Sequence, residues 1–325
     1  MDSKASFQDL TPDIILPSVE EHCGVNLEAV MTPYNSYINR VYGLQDEDNQ
    51  RYVVKFYRPQ RWSTEGILEE HRFLMQCAEE DIPVIPPLIL QGQTTLGEAR
   101  GIRFAVFPLR AGRTFDITSD KDWLRLGSIV GRIHQVGIKE TAQHRTVCSP
   151  TATTEKYCED IVTQDLIPPD CVDDFHAVCE QTLALITPLF AGVGNMRIHG
   201  DCHRGNILDR LQEGLLIMDF DDMMMGPAVQ DLWLLLPGHL ADCRAEMDLL
   251  LDGYTQFFDF DLESLQLVEA LRFMRIIYFL TWSAMQAKDY TFAQNFSEWG
   301  TKAFWIKEIE DLNYQREKIE EHLSG

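Results

Sequence analysis

The sequence predicts an α+β fold of two lobes, in which a small antiparallel β lobe with one main helix precedes a larger, mainly helical lobe. Two patterns predict it. In the first third of the chain, runs rich in Val, Tyr and Phe alternate with short polar connections, which is typical of antiparallel strands. Farther along, apolar residues recur at helical spacing over long segments. A chain of 325 residues is long enough for two domains, and we place them at 1–109 and 110–325.

The β lobe begins with a predicted hairpin. Its strands, 37–44 and 51–57, are joined by a short polar run. Ser63 and Thr64 then offer an N-cap for the main helix of the lobe. This helix ends before the proline-rich stretch 82–87, and another strand follows at 101–108.

The helical lobe is predicted from apolar residues spaced three or four positions apart. Trp123, Leu126, Val130 and Ile133 share one face of its first helix. No repeat or biased linker separates the two lobes, so we expect them to join directly and to bind a ligand in a cleft. Further helices are predicted near 172–190, 228–236, 243–259 and 263–287.

The charge balance is strongly acidic. The chain has 28 Lys and Arg against 51 Asp and Glu, a formal net charge of −23. Such a surface repels a phosphate backbone or an anionic membrane, so we expect neither nucleic acid nor a membrane as a partner. An anionic ligand would bind only where metal ions or a few cations reverse the local field. The acidic excess also suggests a preference for basic segments of partner proteins.

The chain shows no feature of secretion or membrane insertion. Residues 1–13 contain neither a basic region nor an apolar core typical of a signal peptide. No apolar run approaches the roughly 18 residues that span a bilayer. The eight cysteines are scattered without a Cys-x-x-Cys pair, which indicates reduced thiols. We therefore expect a cytoplasmic protein.

Two polar loops carry the residues that indicate chemistry. Stretch 197–208 is dense in His, Asp, Asn and Gly, and an acidic loop follows the apolar segment 215–218. Together they would present Asp201, Asn206 and Asp219 to one point. Phosphoryl transfer needs such groups, because one carboxylate engages the attacking hydroxyl while carboxylate and amide oxygens hold Mg²⁺.

The spacing of the first loop favours catalysis over two alternatives. His199, Asp201 and Asn206 match the His-x-Asp-x-x-x-x-Asn order of a kinase catalytic loop. An isolated match is more often a capped polar turn, but the second acidic loop at the right distance reverses this and favours the kinase interpretation. Zinc at His199, Cys202 and His203 is disfavoured, because no second Cys or His cluster completes a tetrahedral shell.

These stretches resemble a known family. HGDCHRGNIL followed by IMDFDD is similar to the aminoglycoside phosphotransferase and choline kinase group of the protein-kinase-like superfamily. More specifically, the likeness is to the bacterial stress response kinases of that group, and it runs from about residue 30 to about residue 290. It rests on further stretches as well, namely NSYINRVYGL, RYVVKFYRPQRW, ILEEHRFL, GPAVQDLW and LRFMRIIYFLTW.

The resemblance implies a protein-kinase-like fold and a cytoplasmic, monomeric serine/threonine protein kinase that uses ATP and Mg²⁺. Asp201 would accept the proton of a protein hydroxyl, and Asn206 and Asp219 would hold Mg²⁺. A small-molecule kinase of the aminoglycoside, choline or homoserine type is the alternative, because it uses the same constellation. A pseudokinase scaffold is disfavoured, since every catalytic position is filled.

The resemblance also assigns the nucleotide-binding residues. A lysine on a strand and a glutamate on the next helix order the α- and β-phosphates in kinases. Lys55 would be this lysine, although a lysine in an apolar strand can also extend from an edge to solvent. Glu70 is preferred to Glu69 as its partner, because it lies three residues after Ile67 and four before Leu74 on the apolar helix face.

The chain departs from the common protein-kinase pattern. It has no G-x-G-x-x-G, and the resemblance implies that Ser36 and Asn39 approach the triphosphate instead, although an ordinary polar turn fits equally well. Asp221 follows Asp219-Phe220 where the common motif has glycine, and it could assist the metal or cap a turn. Asp231 resembles a buried aspartate that braces the catalytic loop. The arginines at 272 and 275 could contact substrate or form salt bridges.

Overall fold

A computed structural model describes residues 6–36, 38–210, 213–287, 292 and 296–324. The chain divides into two compact units. Unit 1 contains the described residues up to Asp116 together with Ala142–Arg145 and Arg204–Asp222, and unit 2 contains the rest. The predicted lobe 1–109 lies within unit 1. Residues 110–116 and two later segments also belong to unit 1, because Gln143 and His144 donate to Glu69 and residues 207–210 pair with 113–114.

An antiparallel sheet of five strands forms the centre of unit 1. Its order is β1-β2-β3-β5-β4, so β3 is flanked on both sides. The predicted hairpin is present, but its first strand begins at Arg40, and Tyr37 lies outside the described residues. The strands are β1 Thr32–Tyr34, β2 Arg40–Gln45, β3 Arg51–Phe56, β4 Gly97–Ala99 and β5 Ile102–Pro108.

Two helices pack in unit 1. Helix α1, Pro12–Cys23, was not predicted, and it buries Ile15 and Val19 in a cluster that includes Phe104 of the sheet. Helix α2, Thr64–Glu79, begins where the sequence predicts, since the Ser63 hydroxyl accepts the Gly66 N–H at 3.1 Å.

A second, smaller sheet in unit 1 carries the ends of both polar loops. Strand β6, Arg113–Thr114, pairs with β8, Ile207–Arg210, which pairs in turn with β9, Gly214–Ile217. Ile217 also donates its N–H to the Pro83 carbonyl at 3.0 Å. This pairing explains why 204–222 joins the N-terminal part of the chain.

Unit 2 is mainly helical, as predicted. Its two short strands, β7 Met196–Ile198 and β10 Met224–Gly226, are antiparallel. Helices near the predicted segments are present, whereas α4 and α9 were not predicted. The helices are α3 Asp120–Gly137, α4 Glu155–Thr163, α5 Val172–Ile186, α6 Val229–Trp233, α7 Arg244–Tyr254, α8 Val268–Gln286 and α9 Lys302–Ser324. Within the described ranges, no helix is both long and apolar enough to cross a bilayer.

Helices α3 and α7 approach each other through glycines. A Cβ on Gly127 would lie 1.9 Å from the Leu250 carbonyl oxygen, and one on Gly253 would lie 2.1 Å from the Leu124 carbonyl oxygen. Only glycine permits this contact between backbones. It holds the buried His134 of α3 beside α7, where its ring lies 2.9 Å from the Tyr254 hydroxyl.

Candidate active site

Lys55 is the penultimate residue of β3, opposite Val41 on one side and Ala105 on the other. Its Nζ is 3.4 Å from Glu70 and 3.7 Å from Asp219. Because β3 is an inner strand and the Lys55 side chain is only 10% exposed, the interpretation as an edge-strand lysine reaching solvent is wrong. The structure brings Lys55 and Glu70 into the predicted contact.

Glu69 has a different role from its neighbour. Its carboxylate accepts the main-chain N–H groups of Gln143 and His144, at 2.8 and 2.9 Å. Glu70, the next residue of α2, is fully buried. The helical spacing of the apolar residues therefore predicted correctly which of the two glutamates is buried.

Asp221 completes a charged cluster around Lys55, with one oxygen 3.3 Å from Nζ. Arg61 also contacts it, and reaches Asp222 with its other terminal nitrogen. Two interpretations were open for Asp221, a metal ligand or a turn cap. In the structure it is the buried centre of an ion-pair network, which ties the β3–α2 connection to the acidic loop.

Burial and charge act against each other in this cluster. Burial alone would lower the pKa of Lys55, but Asp221 and Glu70 raise it well above its usual value. Burial raises the pKa of Glu70, and Lys55 only partly opposes this. Burial would also raise the pKa of Asp221, but Lys55, Arg61 and Arg145 hold it below the usual range. The neighbouring carboxylates thus favour the charged form of Lys55.

Arg145 is a member of the cluster that sequence reasoning missed. Its guanidinium stacks 3.8 Å over the Trp62 ring and donates to the Asp221 carbonyl oxygen. It also lies 3.7 Å from Glu70. No local pattern could have revealed this, because Arg145 lies in a short loop segment 75 residues beyond Glu70.

Asn39 and Ser36 lie on the turn before β2. The Ser36 hydroxyl accepts the Asn39 N–H at 3.3 Å. The buried Asn39 amide accepts from the Arg58 N–H at 3.0 Å and donates to Asp221 at 3.2 Å. The side chain of Asn39 is therefore engaged by protein atoms, and any contact of this residue with a nucleotide would use its main chain.

Asp219 follows β9 in an uncommon backbone conformation, with φ of 63°. The next residue, Phe220, anchors it by packing edge-on against Phe73, with ring centroids 5.7 Å apart. The preceding residue, Met218, donates its N–H to the Asn206 carbonyl at 3.0 Å. A left-handed conformation in a non-glycine residue costs free energy and is found at functional positions. The Asp219 side chain is 56% exposed.

Asn206 and Asp219 offer the donor atoms that Mg²⁺ prefers. Both supply oxygen, and no group of three or more His, Cys, Asp or Glu in the described portion of the chain is arranged to hold a metal. Mg²⁺ is commonly bound by one or two carboxylates together with nucleotide phosphates and water rather than by a closed protein cage. The residues present fit such an ion.

The loop that carries Asp201 belongs to unit 2. After β7, Gly200 adopts φ of 83°, and Asp231 accepts the N–H groups of His199 and Gly200 at 2.7 and 2.8 Å. His134 supports Asp231 from behind at 2.9 Å. The buried carboxylate thus braces the loop, as the sequence predicts for Asp231.

The Asp201 carboxylate is paired on both oxygens. Arg275 Nη2 lies 2.6 Å from Oδ1, and His203 Nε2 lies 3.5 Å from Oδ2. Burial would raise the pKa of Asp201, but His203 and Arg275 lower it to about 2. Cys202 beside it is buried, and burial raises its pKa well above normal, which disfavours a reactive thiolate.

The comparisons with known proteins agree with the geometry described above. Residues 30–268 match the model of the phosphotransferase enzyme family. Stress response kinase A of Escherichia coli (strain K12) is 38% identical over 324 residues, which cover 98% of this chain and 96% of that protein. A Salmonella typhimurium (strain LT2) protein named serine/threonine protein kinase RdoA is 37% identical, over 94% of this chain and 93% of its own.

Solved structures of low sequence identity share the fold. An amicoumacin kinase in complex with AMP-PNP, Ca²⁺ and Ami matches with a TM-score of 0.72 and 19% identity, over 94% of each chain. A spectinomycin phosphotransferase in complex with ADP and spectinomycin matches with a TM-score of 0.66 and 14% identity, over 94% of this chain and 97% of that one. The predicted fold class, a small β lobe and a larger helical lobe of the protein-kinase-like type, is confirmed.

Proposed function

This chain belongs to the phosphotransferase enzyme family, and we propose that it is an ATP- and Mg²⁺-dependent serine/threonine protein kinase of a bacterial stress response. One observation carries the proposal: the buried Lys55 contacts Glu70 and lies 3.7 Å from Asp219. Kinases use this combination to hold nucleotide phosphates and metal. The names of the relatives support a protein acceptor and a role in stress, and we place the enzyme in the cytoplasm as a monomer.

In this proposal the cluster of unit 1 orients ATP. Lys55 pairs with the α- and β-phosphates, and Glu70 fixes the lysine from the side of α2. The turn carrying Ser36 covers the phosphates with its hydroxyl and main chain. Asn39 holds the turn in place, because its side-chain amide donates a hydrogen bond to Asp221.

Asn206 and Asp219 would hold Mg²⁺ in the proposed enzyme. The ion, when bound, neutralises charge on the β- and γ-phosphates. The left-handed backbone at Asp219 and the packing of Phe220 fix the carboxylate before the ion arrives. Such preorganisation lowers the cost of assembling the site.

Asp201 would act on the acceptor in the same scheme. The acceptor hydroxyl oxygen forms a bond to the γ-phosphorus, and its proton passes to Asp201. The bond between the γ-phosphorus and the bridging oxygen breaks, and ADP leaves with the electron pair. Asp231 keeps Asp201 in place through the N–H groups of the loop.

A small-molecule kinase remains the second candidate. The solved structures that share the fold include kinases whose names specify small acceptors, such as amicoumacin and spectinomycin. Their identity to this chain is below 20%, so they support the fold and the phosphate chemistry rather than the acceptor.

Radiolabelled ATP tests the acceptor class. The purified chain is incubated with labelled Mg-ATP and general protein substrates, and in parallel with aminoglycosides, amines and amino alcohols. We expect label on phosphoserine and phosphothreonine after acid hydrolysis of the protein fraction. Label on small molecules alone would replace the first candidate by the second, and label on neither acceptor class would overturn both.

A further inference from the structure

Arg275 of α8 is the closest charged partner of the proposed base. Its Nη2 lies 2.6 Å from Asp201 Oδ1, and the side chain is 30% exposed. The guanidinium also lies over the ring of Tyr278, one turn farther along α8, at 5.3 Å from the centroid. The pairing was not predicted, since the sequence left both salt bridging and substrate contact open for this arginine.

Arg272, one turn earlier on the same helix, has a different environment. It donates to the Gly238 carbonyl oxygen at 2.6 Å and lies 3.4 Å from Glu269. It also lies over the Trp233 ring. Its contacts are with groups that hold α8 in place, so we assign Arg272 to the packing of the helix.

The guanidinium of Arg275 has unused binding capacity. An arginine presents five N–H donors in a planar fork. Among the residues that the structure describes, its partners are Asp201 and the Tyr278 ring. The remaining donors are therefore accessible, beside the carboxylate that would receive the acceptor hydroxyl. A fork of this kind suits a carboxylate or phosphate oxygen.

We propose that Arg275 positions Asp201 and selects acceptor segments that carry an acidic group beside the hydroxyl. Arg275 forms an ion pair with Oδ1 of Asp201, and the acceptor hydroxyl replaces the longer contact of Oδ2 with His203. The acidic group of the acceptor then binds the remaining donors of the guanidinium. This inference rests on the proposed function and specifies its substrate class.

The same charge acts against cationic acceptors. An ammonium group placed near the hydroxyl would lie against the Arg275 guanidinium, and like charges in contact are strongly unfavourable at a binding site. The overall charge of −23 attracts basic partners at long range. At moderate salt, however, this attraction is largely screened beyond about 10 Å. Where the phosphoryl group is transferred, the Arg275 guanidinium determines which acceptors bind. It disfavours both basic peptide segments and aminoglycosides.

Peptides that differ only in flanking charge test this selection. One serine peptide is prepared with glutamate, glutamine or lysine flanks, and kcat and KM are measured with saturating Mg-ATP. We expect kcat/KM for the glutamate peptide to exceed that for the lysine peptide by about tenfold or more. Arg275→Gln should bring the ratio near unity and lower kcat on the glutamine peptide by about tenfold to a hundredfold, because Asp201 loses its orientation.

Further variants separate selection from folding. Arg275→Lys keeps the charge without the planar fork, so it should keep the preference for glutamate flanks at a reduced kcat. Arg125→Gln removes a surface arginine of α3 that pairs with Asp122, and it should leave both rates unchanged. A thermal melt of each variant reports its folding.

The outcomes distinguish this inference from the function on which it rests. If the wild type phosphorylates all three peptides equally, and Arg275→Gln changes neither the ratio nor kcat, the inference is wrong and the kinase function stands. If the wild type labels no peptide and labels amines or amino alcohols instead, the protein-kinase proposal fails, and the inference fails with it.

Discussion

The ammonium nitrogen of Lys55 lies 3.3 Å from a carboxylate oxygen of Asp221, a residue two positions beyond the proposed metal ligand Asp219. This contact makes the acidic loop part of the structure around the lysine. Arg61 and Arg145 contact Asp221 as well. The loop is therefore held by buried charges before any nucleotide binds.

Asp221→Asn should destabilise the fold strongly. The variant leaves Lys55 and Arg61 without their shared carboxylate, and breaking a buried ion pair costs about 3–5 kcal/mol. Urea unfolding followed by circular dichroism measures the loss. Asp222→Asn is the matched control, because it removes one salt bridge with Arg61 but leaves the contact of Asp221 with Lys55 in place, so it should cost less than Asp221→Asn. Equal losses in the two variants would contradict a central role for Asp221.

Glu70→Gln should weaken catalysis more than folding. The amide keeps the shape of the side chain but removes the charge that fixes Lys55, so we expect kcat/KM for Mg-ATP to fall by about tenfold to a hundredfold. Glu69→Gln is the control, because Glu69 caps main-chain N–H groups and does not contact Lys55. Steady-state kinetics at varied ATP measures both. A larger loss of activity from Glu69→Gln would reverse the assignment.

Asp201→Asn and Asp219→Asn should separate transfer from nucleotide binding. Loss of a general base lowers the rate by about 10² to 10⁴, so Asp201→Asn should be nearly inactive yet bind Mg-ATP almost as the wild type does. Asp219→Asn should instead lose the Mg²⁺-dependent part of nucleotide binding. Isothermal titration calorimetry with ATP, in the presence and absence of Mg²⁺, reports the difference. Full activity of Asp201→Asn would remove Asp201 from the mechanism.

Local patterns predicted the parts of the site that depend on neighbouring residues. The spacing of Ile67 and Leu74 predicted that Glu70 lies on the inner face of α2, where it is buried, and the loop motif indicated Asp201 and Asn206 as candidates. Arg145 was missed because its contact with Asp221 joins residues far apart in the chain. Pairings of this kind depend on the packed fold and leave no periodic pattern in the sequence.

The unpredicted helices have two different explanations. Helix α1 contains Pro17 in its interior, and an internal proline normally indicates the end of a helix. Helix α9, in contrast, carries Trp305, Ile309 and Leu312 at helical spacing on its buried face. That periodicity was available in the sequence and would have predicted the helix. Helix α1 was missed because tertiary packing overrides the local effect of its proline. Helix α9 was missed although its apolar periodicity indicates a helix.

His71 should make the stability of the fold dependent on pH. Its buried ring bonds to the Tyr57 hydroxyl at 2.8 Å and the Thr95 hydroxyl at 2.7 Å. Burial lowers its pKa to about 3, and Lys55 and Arg145 add to the effect. Between the unfolded value of about 6.5 and the folded value, the unfolded chain binds more protons. Acidification through this window should therefore cost about 1.4 kcal/mol per pH unit from this residue alone.

The comparison of wild type with His71→Gln isolates this contribution. The variant lacks the titrating ring, so its stability deficit relative to the wild type should shrink as the pH falls from about 6.5 toward 4.5. Urea unfolding at a series of pH values measures the two curves. His176→Gln, at a site 66% exposed to solvent, serves as the surface control. If the curves of wild type and His71→Gln stay parallel across the window, the neutral buried state of His71 is not what weakens the fold in acid.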